Sequence, residues 1–253
     1  MGFANLHPSR GRRRQNRDGR SIVPRMRTAV IVLAAGRGER LGGKTPKAFV
    51  EILGRTILER ALDNLMTFNG FGWVQPVIPG EAFERYAALD LPGDPRLAPP
   101  VAGGAERQDS GAAGLAALPQ EFELVAIHDA ARCGVQAADI ARVVSVAEEF
   151  GAALLAVPAR DTVKLVADGA VSRTPERGGC WLAQTPQVFH RGLYSEALAK
   201  AEADGFRGTD DAELVERLGA QVRVVSGNPS NFKITSPEDL AAAERGWVQE
   251  KAQ

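Results

Sequence analysis

The sequence predicts an open, doubly wound α/β fold on a mostly parallel sheet, and three observations carry that expectation. Apolar, β-rich runs alternate with stripes of helical period along the body of the chain. The first run, Thr28-Ala-Val-Ile-Val-Leu33, is nearly continuous in apolar residues, as a strand covered on both faces requires. The polar clusters follow the ends of the strands, and ligands on such sheets bind outside the strands' carboxyl ends.

The elements follow in order. After the strand at 28–33, Leu58, Ala61, Leu62 and Leu65 repeat at helical spacing. Val74 to Ile78 is a weaker strand interrupted by Pro76, Arg107 to Leu118 a helix, and Leu124 to His128 a buried strand. Ile140, Val143, Val144 and Ala147 mark the next helix, and Ala152–Val157 the next strand. Leu193, Ala197, Leu198 and Ala201 mark a further helix, Ala212, Val215 and Leu218 a short one, and Val222–Val225 a strand. The last helix starts with Ser236 as N-cap, Pro237 at the first helical position and Asp239 in the capping-box slot.

Residues 158–187 break the alternation. Short β-capable pieces (Thr162–Val166, Val171–Arg173, Trp181–Ala183) surround the turn signal Asp168-Gly169, with no helical period. This pattern predicts a protruding β-arm. An isolated arm is marginal without a surface to bury against, so a homodimer is expected.

Charge divides the chain. The formal net charge is zero, from 31 basic and 31 acidic residues. Eight of those bases, all arginine, lie in residues 1–27 beside a single acid, Asp18, which leaves 23 bases against 30 acids in the rest. A mildly acidic body excludes a general nucleic-acid binder. The Arg-rich segment 1–26 has no apolar period and reads as a disordered basic tail, with Met26 as a natural start and residues 27–250 as one domain. No secretory h-region follows the arginines, and the run 29–35 is too short to span a bilayer. Two cysteines, Cys133 and Cys180, form neither a disulfide framework nor a zinc motif, so a cytoplasmic, reducing setting is expected.

The loop after the first strand, Ala34-Ala35-Gly36-Arg-Gly38-Glu-Arg40-Leu-Gly-Gly-Lys44-Thr-Pro46-Lys47, admits three readings. A dinucleotide fingerprint lacks its third glycine, because position 41 is Leu41. Gly38 to Thr45 matches the P-loop pattern literally. A P-loop, however, springs directly from its strand and opens a helix, whereas Gly38 lies five residues past Leu33 and Pro46 disfavours helix at Thr45. In the third reading, backbone N–H groups from Ala35 to Gly38 form an anion nest for a triphosphate, with Arg40 and Lys47 supplying positive charge. From this stretch alone, a plain glycine loop with solvated Arg and Lys remains open.

Six further blocks join it. They are Ala102-Gly-Gly-Ala-Glu-Arg107-Gln-Asp-Ser110, Ile127-His-Asp-Ala-Ala-Arg132, Pro158-Ala-Arg-Asp161-Thr162-Val-Lys164, Gln184-Thr185-Pro-Gln187, Gly208-Thr209-Asp-Asp211 and Asn231-Phe-Lys-Ile-Thr235-Ser-Pro-Glu-Asp-Leu240. With Leu33–Leu41 and Pro46-Lys47, they resemble, in order and over about residues 28–245, the 2-C-methyl-D-erythritol 4-phosphate cytidylyltransferase family. The resemblance implies a Rossmann-like nucleotidyltransferase that joins CMP from CTP to a polyol phosphate and releases pyrophosphate. Cytidylyl transfer to another polyol phosphate, such as ribitol 5-phosphate, and a P-loop NTPase or kinase are the alternatives.

Residue roles follow from chemistry and resemblance together. An acceptor phosphate oxygen attacks the α-phosphorus, so positioning and charge neutralisation suffice and no protein nucleophile is needed. The resemblance gives catalysis to Arg40, Lys47 and Lys233, with Lys233 at the α-phosphate. Asp129 ends a buried strand, where a carboxylate is costly without a cation or donors; the resemblance places it on Mg²⁺, which needs only one or two carboxylates. Ala34, Ala35, Gly36, Gly38, Gly103 and Gly104 let the nucleotide approach backbone. Ser110 resembles the family's base-contacting hydroxyl, and Arg107 its loop-ordering guanidinium. Arg132, Asp161, Thr162, Arg177, Thr185 and Thr209 are implied to bind the polyol phosphate, with Thr162 and Arg177 reaching the neighbouring subunit from the arm. His128 reads as a packed, hydrogen-bonded histidine, and Asp109 as a helix-start charge. Ala105, where relatives carry a polar residue, and Cys133, where they carry proline, depart from the family pattern.

Overall fold

In the computed structural model, residues 28–36 and 45–251 are described. The segments 1–27 and 37–44 lie outside them, so the tail and the expected contributions of Gly38, Arg40 and Lys44 do too. The elements are β1 (Thr28–Leu33), β2 (Glu51–Ile52), β3 (Arg55–Thr56), α1 (Ile57–Met66), β4 (Phe71–Ile78), α2 (Phe83–Ala87), β5 (Val101–Ala102), α3 (Arg107–Ala117), β6 (Leu124–Asp129) and α4 (Ala137–Phe150). There follow β7 (Ala152–Pro158), β8 (Leu165–Ala167), β9 (Ala170–Arg173), β10 (Trp181–His190), α5 (Arg191–Ala203), α6 (Asp211–Glu216), β11 (Arg223–Ser226) and α7 (Pro237–Lys251).

A seven-stranded sheet in the order β11-β7-β10-β6-β1-β4-β5 forms the centre. All of its strands run parallel except β10, which is antiparallel to both β6 and β7. Successive side chains of β1 serve opposite faces. Val30 and Val32 pack with α1 and α4 residues such as Leu58, Leu62, Ile140 and Val143. Ala29 and Ile31 pack with Leu115 of α3 and with Phe189, Tyr194 and Leu198. This two-sided burial is why the run reads as continuously apolar.

The chain passes from β1 to β4 on one side and later returns to β6 on the other. The direction of winding therefore reverses between β1 and β6, and a crevice opens at their carboxyl ends. Leu33 and Asp129 are register partners there.

Two differences from the expected elements have clear causes. Strand β4 runs unbroken through Pro76. Val74 exchanges hydrogen bonds with Arg96 and Ala98, and the Ile78 carbonyl accepts from Gly103, so even-numbered residues face away from β1. Pro76 therefore directs its missing donor toward the interrupted edge around Pro99, where no ladder bond is lost. For β10, the sequence predicts only the arm piece 181–183. The strand continues through a cis Thr185–Pro186 bond, with a register irregularity between Ala183 and Gln187, into the middle of the sheet. Proline in a central strand argues against a strand from sequence, and the irregularity accommodates it.

The expected capping box of α7 is present. Ser236 Oγ accepts from Asp239 N–H at 3.3 Å, and Asp239 Oδ2 accepts from Ser236 N–H at 2.9 Å. The arm contains the β8–β9 hairpin, whose residues are all exposed, turning at Asp168-Gly169 with positive φ. Among the described residues, no helix is long and apolar enough to cross a membrane.

Candidate active site

The loop leaving β1 is set between its two neighbours. Ala34 N–H donates to the Val77 carbonyl at 2.8 Å, and Ala130 N–H donates to the Leu33 carbonyl at 3.0 Å. Ala34, Ala35 and Gly36 therefore emerge directly above the reversal in strand order. Downstream, Thr45 and Pro46 lead into a 3₁₀ turn, Lys47–Phe49, that is pinned by buried Ala48 and Phe49. A P-loop would open an α-helix at this point, so the local structure disfavours that reading. The turn fixes the backbone position of Lys47.

Gly103 packs against the loop that leaves β1. A Cβ there would stand 2.4 Å from the Ala35 Cβ and 2.7 Å from Ser110 Oγ, so only glycine permits this approach. Ser110 Oγ donates to the Glu106 carbonyl and accepts the Gly104 N–H, each at 3.2 Å, which ties the 103–106 loop to the first turn of α3. Ala35, Gly103, Gly104 and Ser110 thus converge as expected. Asp109 is a helix-start charge: its Oδ2 accepts Glu106 N–H at 3.1 Å, and it pairs with Arg207.

Asp129, only 7% exposed, is the electrostatic centre. Its Oδ2 lies 2.7 Å from Lys233 Nζ, and its Oδ1 accepts from Arg107 Nη2 at 3.0 Å and Nε at 3.2 Å. Burial alone would raise this carboxyl. Arg107 and then Lys233 overcome that effect and hold it well below the usual carboxylate range. Arg107 also pairs through Nη1 with Asp211, and Asp211 Oδ1 accepts from the Tyr194 hydroxyl at 2.7 Å. Lys233 is held in place by its neighbours: Asn231 is fully buried, and Ile234 N–H donates to the Ala131 carbonyl.

Thr185 and His128 lie beneath Asp129. Thr185 Oγ1 accepts the Asp129 N–H at 3.0 Å and sits 3.0 Å from His128 Nδ1. The imidazole tautomer decides which of the two groups donates in that contact. Burial pushes His128 down to about 4, so it is neutral at physiological pH, in line with the packed histidine expected. The Thr185 hydroxyl, expected to meet the acceptor, supports the Asp129 peptide in this structure.

The remaining expected residues separate into two groups. Arg132 donates to the carbonyls of Asn231 and Ala183, each at 3.0 Å, and so clasps the Lys233 segment to β10. Burial lowers its guanidinium, and Asp129 acts against that. Thr209 is exposed at the start of α6, where Asp210 is the N-cap, and its hydroxyl donates to Glu213 at 2.9 Å. Asp161, Thr162 and Arg177 lie on the arm, all three exposed. Among the described residues, no hydrogen bond or ion pair joins these three to the Asp129 cluster.

Sequence reasoning gives no role to Tyr194 and none to the Asp211 carboxylate. Asp211 stands inside a quoted block, but its partner Arg107 is 104 residues away, and no local spacing signals such a pair.

No group of three or more His, Cys, Asp or Glu that could hold a metal occurs among the described residues. A single ionised carboxylate at this crevice suits a cation held mainly by a bound nucleotide, as Mg²⁺ commonly is.

A winding reversal with glycine-rich backbone, lysines and one ionised aspartate is the arrangement of a nucleotidyltransferase. The model of the 2-C-methyl-D-erythritol 4-phosphate cytidylyltransferase family matches residues 28–247. A relative of that description from Geobacter metallireducens is 42% identical over 231 residues, covering 89% of this chain and 99% of its own. One from Syntrophus aciditrophicus is 43% identical over 227 residues, covering 86% and 94%. Among solved structures, the Thermus thermophilus enzyme of the same description superposes with TM-score 0.71 at 36% identity, covering 86% of this chain and 97% of its own. The Anaerococcus prevotii 4-diphosphocytidyl-2C-methyl-D-erythritol synthase gives 0.78 at 30%, covering 88% and 98%. The chain belongs to the 2-C-methyl-D-erythritol 4-phosphate cytidylyltransferase family.

Proposed function

We propose that this site transfers CMP from CTP to 2-C-methyl-D-erythritol 4-phosphate, giving 4-diphosphocytidyl-2-C-methyl-D-erythritol and pyrophosphate for isoprenoid precursor synthesis. The observation that carries this reading is Lys233 on Asp129 at the carboxyl ends of β1 and β6, 2.7 Å apart, beside a loop that offers backbone to a nucleotide. An acceptor phosphate oxygen forms a bond to the α-phosphorus as the bond to the bridging oxygen of the leaving pyrophosphate breaks. Both partners are polyanions, so cationic side chains and orientation supply the catalysis. Lys47 and Arg40 take the triphosphate and the charge that develops on leaving pyrophosphate, and Lys233 takes the α-phosphate. Ala35, Gly103, Gly104 and Ser110 shape the cytosine side. When bound, Mg²⁺ on Asp129 neutralises phosphate charge.

The acceptor side is completed by a second copy of the chain. Leu165, Val166, Val171, Trp181 and Leu182 are exposed together on the arm, Val166 by 60% and Leu182 by 57%. Such a patch suits a partner surface. Seated there, Thr162 and Arg177 serve the neighbour's acceptor together with Arg132 and Thr209. A cytoplasmic homodimer acting on small molecules, without nucleic acid or membrane, is the form this reading takes.

The test offers CTP and Mg²⁺ with methylerythritol phosphate or with ribitol 5-phosphate and follows CDP-alcohol formation. Product from the first acceptor alone is expected, with Lys47→Ala inactive and Lys44→Ala active. The reverse lysine pattern, with no CDP-alcohol, would establish the P-loop alternative.

A further inference from the structure

One carboxylate in the cluster touches neither the crevice nor the phosphate-facing lysines. Asp211 is fully buried at the start of α6, and both of its oxygens are engaged, one by the Tyr194 hydroxyl and the other by Arg107. Its position is fixed independently of Arg107. Gln187 of β10 accepts the Ala212 N–H at 2.9 Å and donates to the Asp210 carboxylate at 2.8 Å, which anchors the start of α6 to the sheet. Tyr194 is equally constrained, since a Cβ on Gly111 would come within 2.5 Å of its hydroxyl. Asp211 is therefore the anchor, and Arg107 the side chain it anchors.

Buried ion pairs often stabilise no better than packed apolar side chains, so this pair invites a role beyond stability. Charges alternate along Lys233, Asp129, Arg107 and Asp211. The negative charge of Asp211 offsets part of the guanidinium's field at Asp129, and the fork of Arg107 fixes the direction of both carboxylates. We propose that Asp211 is a positioning residue that shares and aims the Arg107 guanidinium, so that Asp129 keeps the charge and orientation needed to take a nucleotide-bound divalent cation. If Asp211 were neutral, the whole Arg107 charge would bear on Asp129 and compete with the cation. The inference rests on the reading of Asp129 as the cation's carboxylate.

The experiment measures CTP binding by calorimetry at pH 8, with no acceptor and therefore no turnover, across a series of Mg²⁺ concentrations. Asp211→Asn is expected to raise the Mg²⁺ concentration for half-maximal CTP affinity about tenfold, the effect of one neighbouring charge. Tyr194→Phe keeps both charges and loses only a hydrogen bond, so its midpoint stays within about twofold of wild type even if it melts earlier. Should Asp211→Asn fail to fold, Arg107→Lys keeps the charge but cannot fork between the two carboxylates, and it should shift the midpoint in the same direction. Midpoints unchanged in folded Asp211→Asn or Arg107→Lys would overturn the proposal. A wild type that binds CTP equally with and without Mg²⁺ would instead sink the reading of Asp129 on which it rests.

Discussion

Around Asp129, each charged side chain is answered from a distant element; over residues 162–182 of the arm, the side-chain hydrogen bonds stay within that segment. Lys233, Arg107 and Thr185 reach Asp129 from 104, 22 and 56 residues away, and Asp211 and Arg132 extend the network to α6 and β10. Among the described residues, the arm's own bonds run from Lys164 to Thr174, from Ser172 to the Leu165 carbonyl and from Cys180 to the Glu176 carbonyl. The cluster is finished within one chain. The arm exposes apolar surface and a cation, Arg177. Nucleotide chemistry should therefore respond to substitutions inside the chain, and acceptor chemistry to assembly.

The largest effect tests the finished half. Asp129→Asn leaves Lys233 without a counter-charge, while Asp211 still retains Arg107. Turnover with CTP and methylerythritol phosphate should fall by about a thousandfold, or roughly 4 kcal/mol, as when one preorganised electrostatic partner is removed. The far-ultraviolet spectrum should stay native. Turnover within tenfold of wild type would show that the carboxylate serves the fold alone.

A fourfold effect tests the unfinished half. Lys47→Ala and Arg177→Ala should each be inactive alone. If the arm acts in trans, mixing equal amounts and allowing exchange makes half the dimers mixed, each with one intact site, and restores about a quarter of wild-type activity. No recovery after verified exchange would return Arg177 to its own subunit's site, and with it the arm would lose its assigned task.

These two halves also differ in how far the sequence reveals them. Continuous apolar runs locate β1, β6 and β7, because strands covered on both faces carry no alternation to misread. The Ser236-Pro237-Asp239 start of α7 is legible because capping is local chemistry. The same holds for the crowding of Gly103 and Ser110 in one short block. The β2–β3 hairpin, turning at Leu53 and Gly54 with positive φ, escapes such a reading, since two-residue strands have no period to detect. Strand β10 reads as too short because Pro186 signals the end of a strand, and only tertiary context lets the chain continue. The Asp211–Arg107–Asp129 relay is invisible for a different reason: its members are brought together by topology and not by spacing. Resemblance supplies Asp129 and Lys233 by position, and the structure supplies the reason they belong together.

The smallest effect at neutral pH lies beneath the cluster. His128 is buried against Thr185, and burial depresses its imidazole from 6.5 to about 4. Between those values an unfolded chain binds a proton that the folded chain refuses, so acidification favours unfolding across that window and leaves stability untouched above it. The slope reaches one proton, about 1.4 kcal/mol per pH unit. Asp129, held low by its cations, begins to cost stability only below the ordinary carboxylate range, whereas Asp211, raised by burial, acts in the opposite sense. Comparing wild type with His128→Asn, whose amide can still hydrogen-bond Thr185 Oγ1 in either direction, isolates the histidine. Urea unfolding should give curves that converge in slope above pH 7 and diverge below about 6.5, with the wild type losing stability faster. Parallel curves down to pH 4 would show that the folded protein admits the proton, and that the floor beneath Asp129 is wetter than its packing implies.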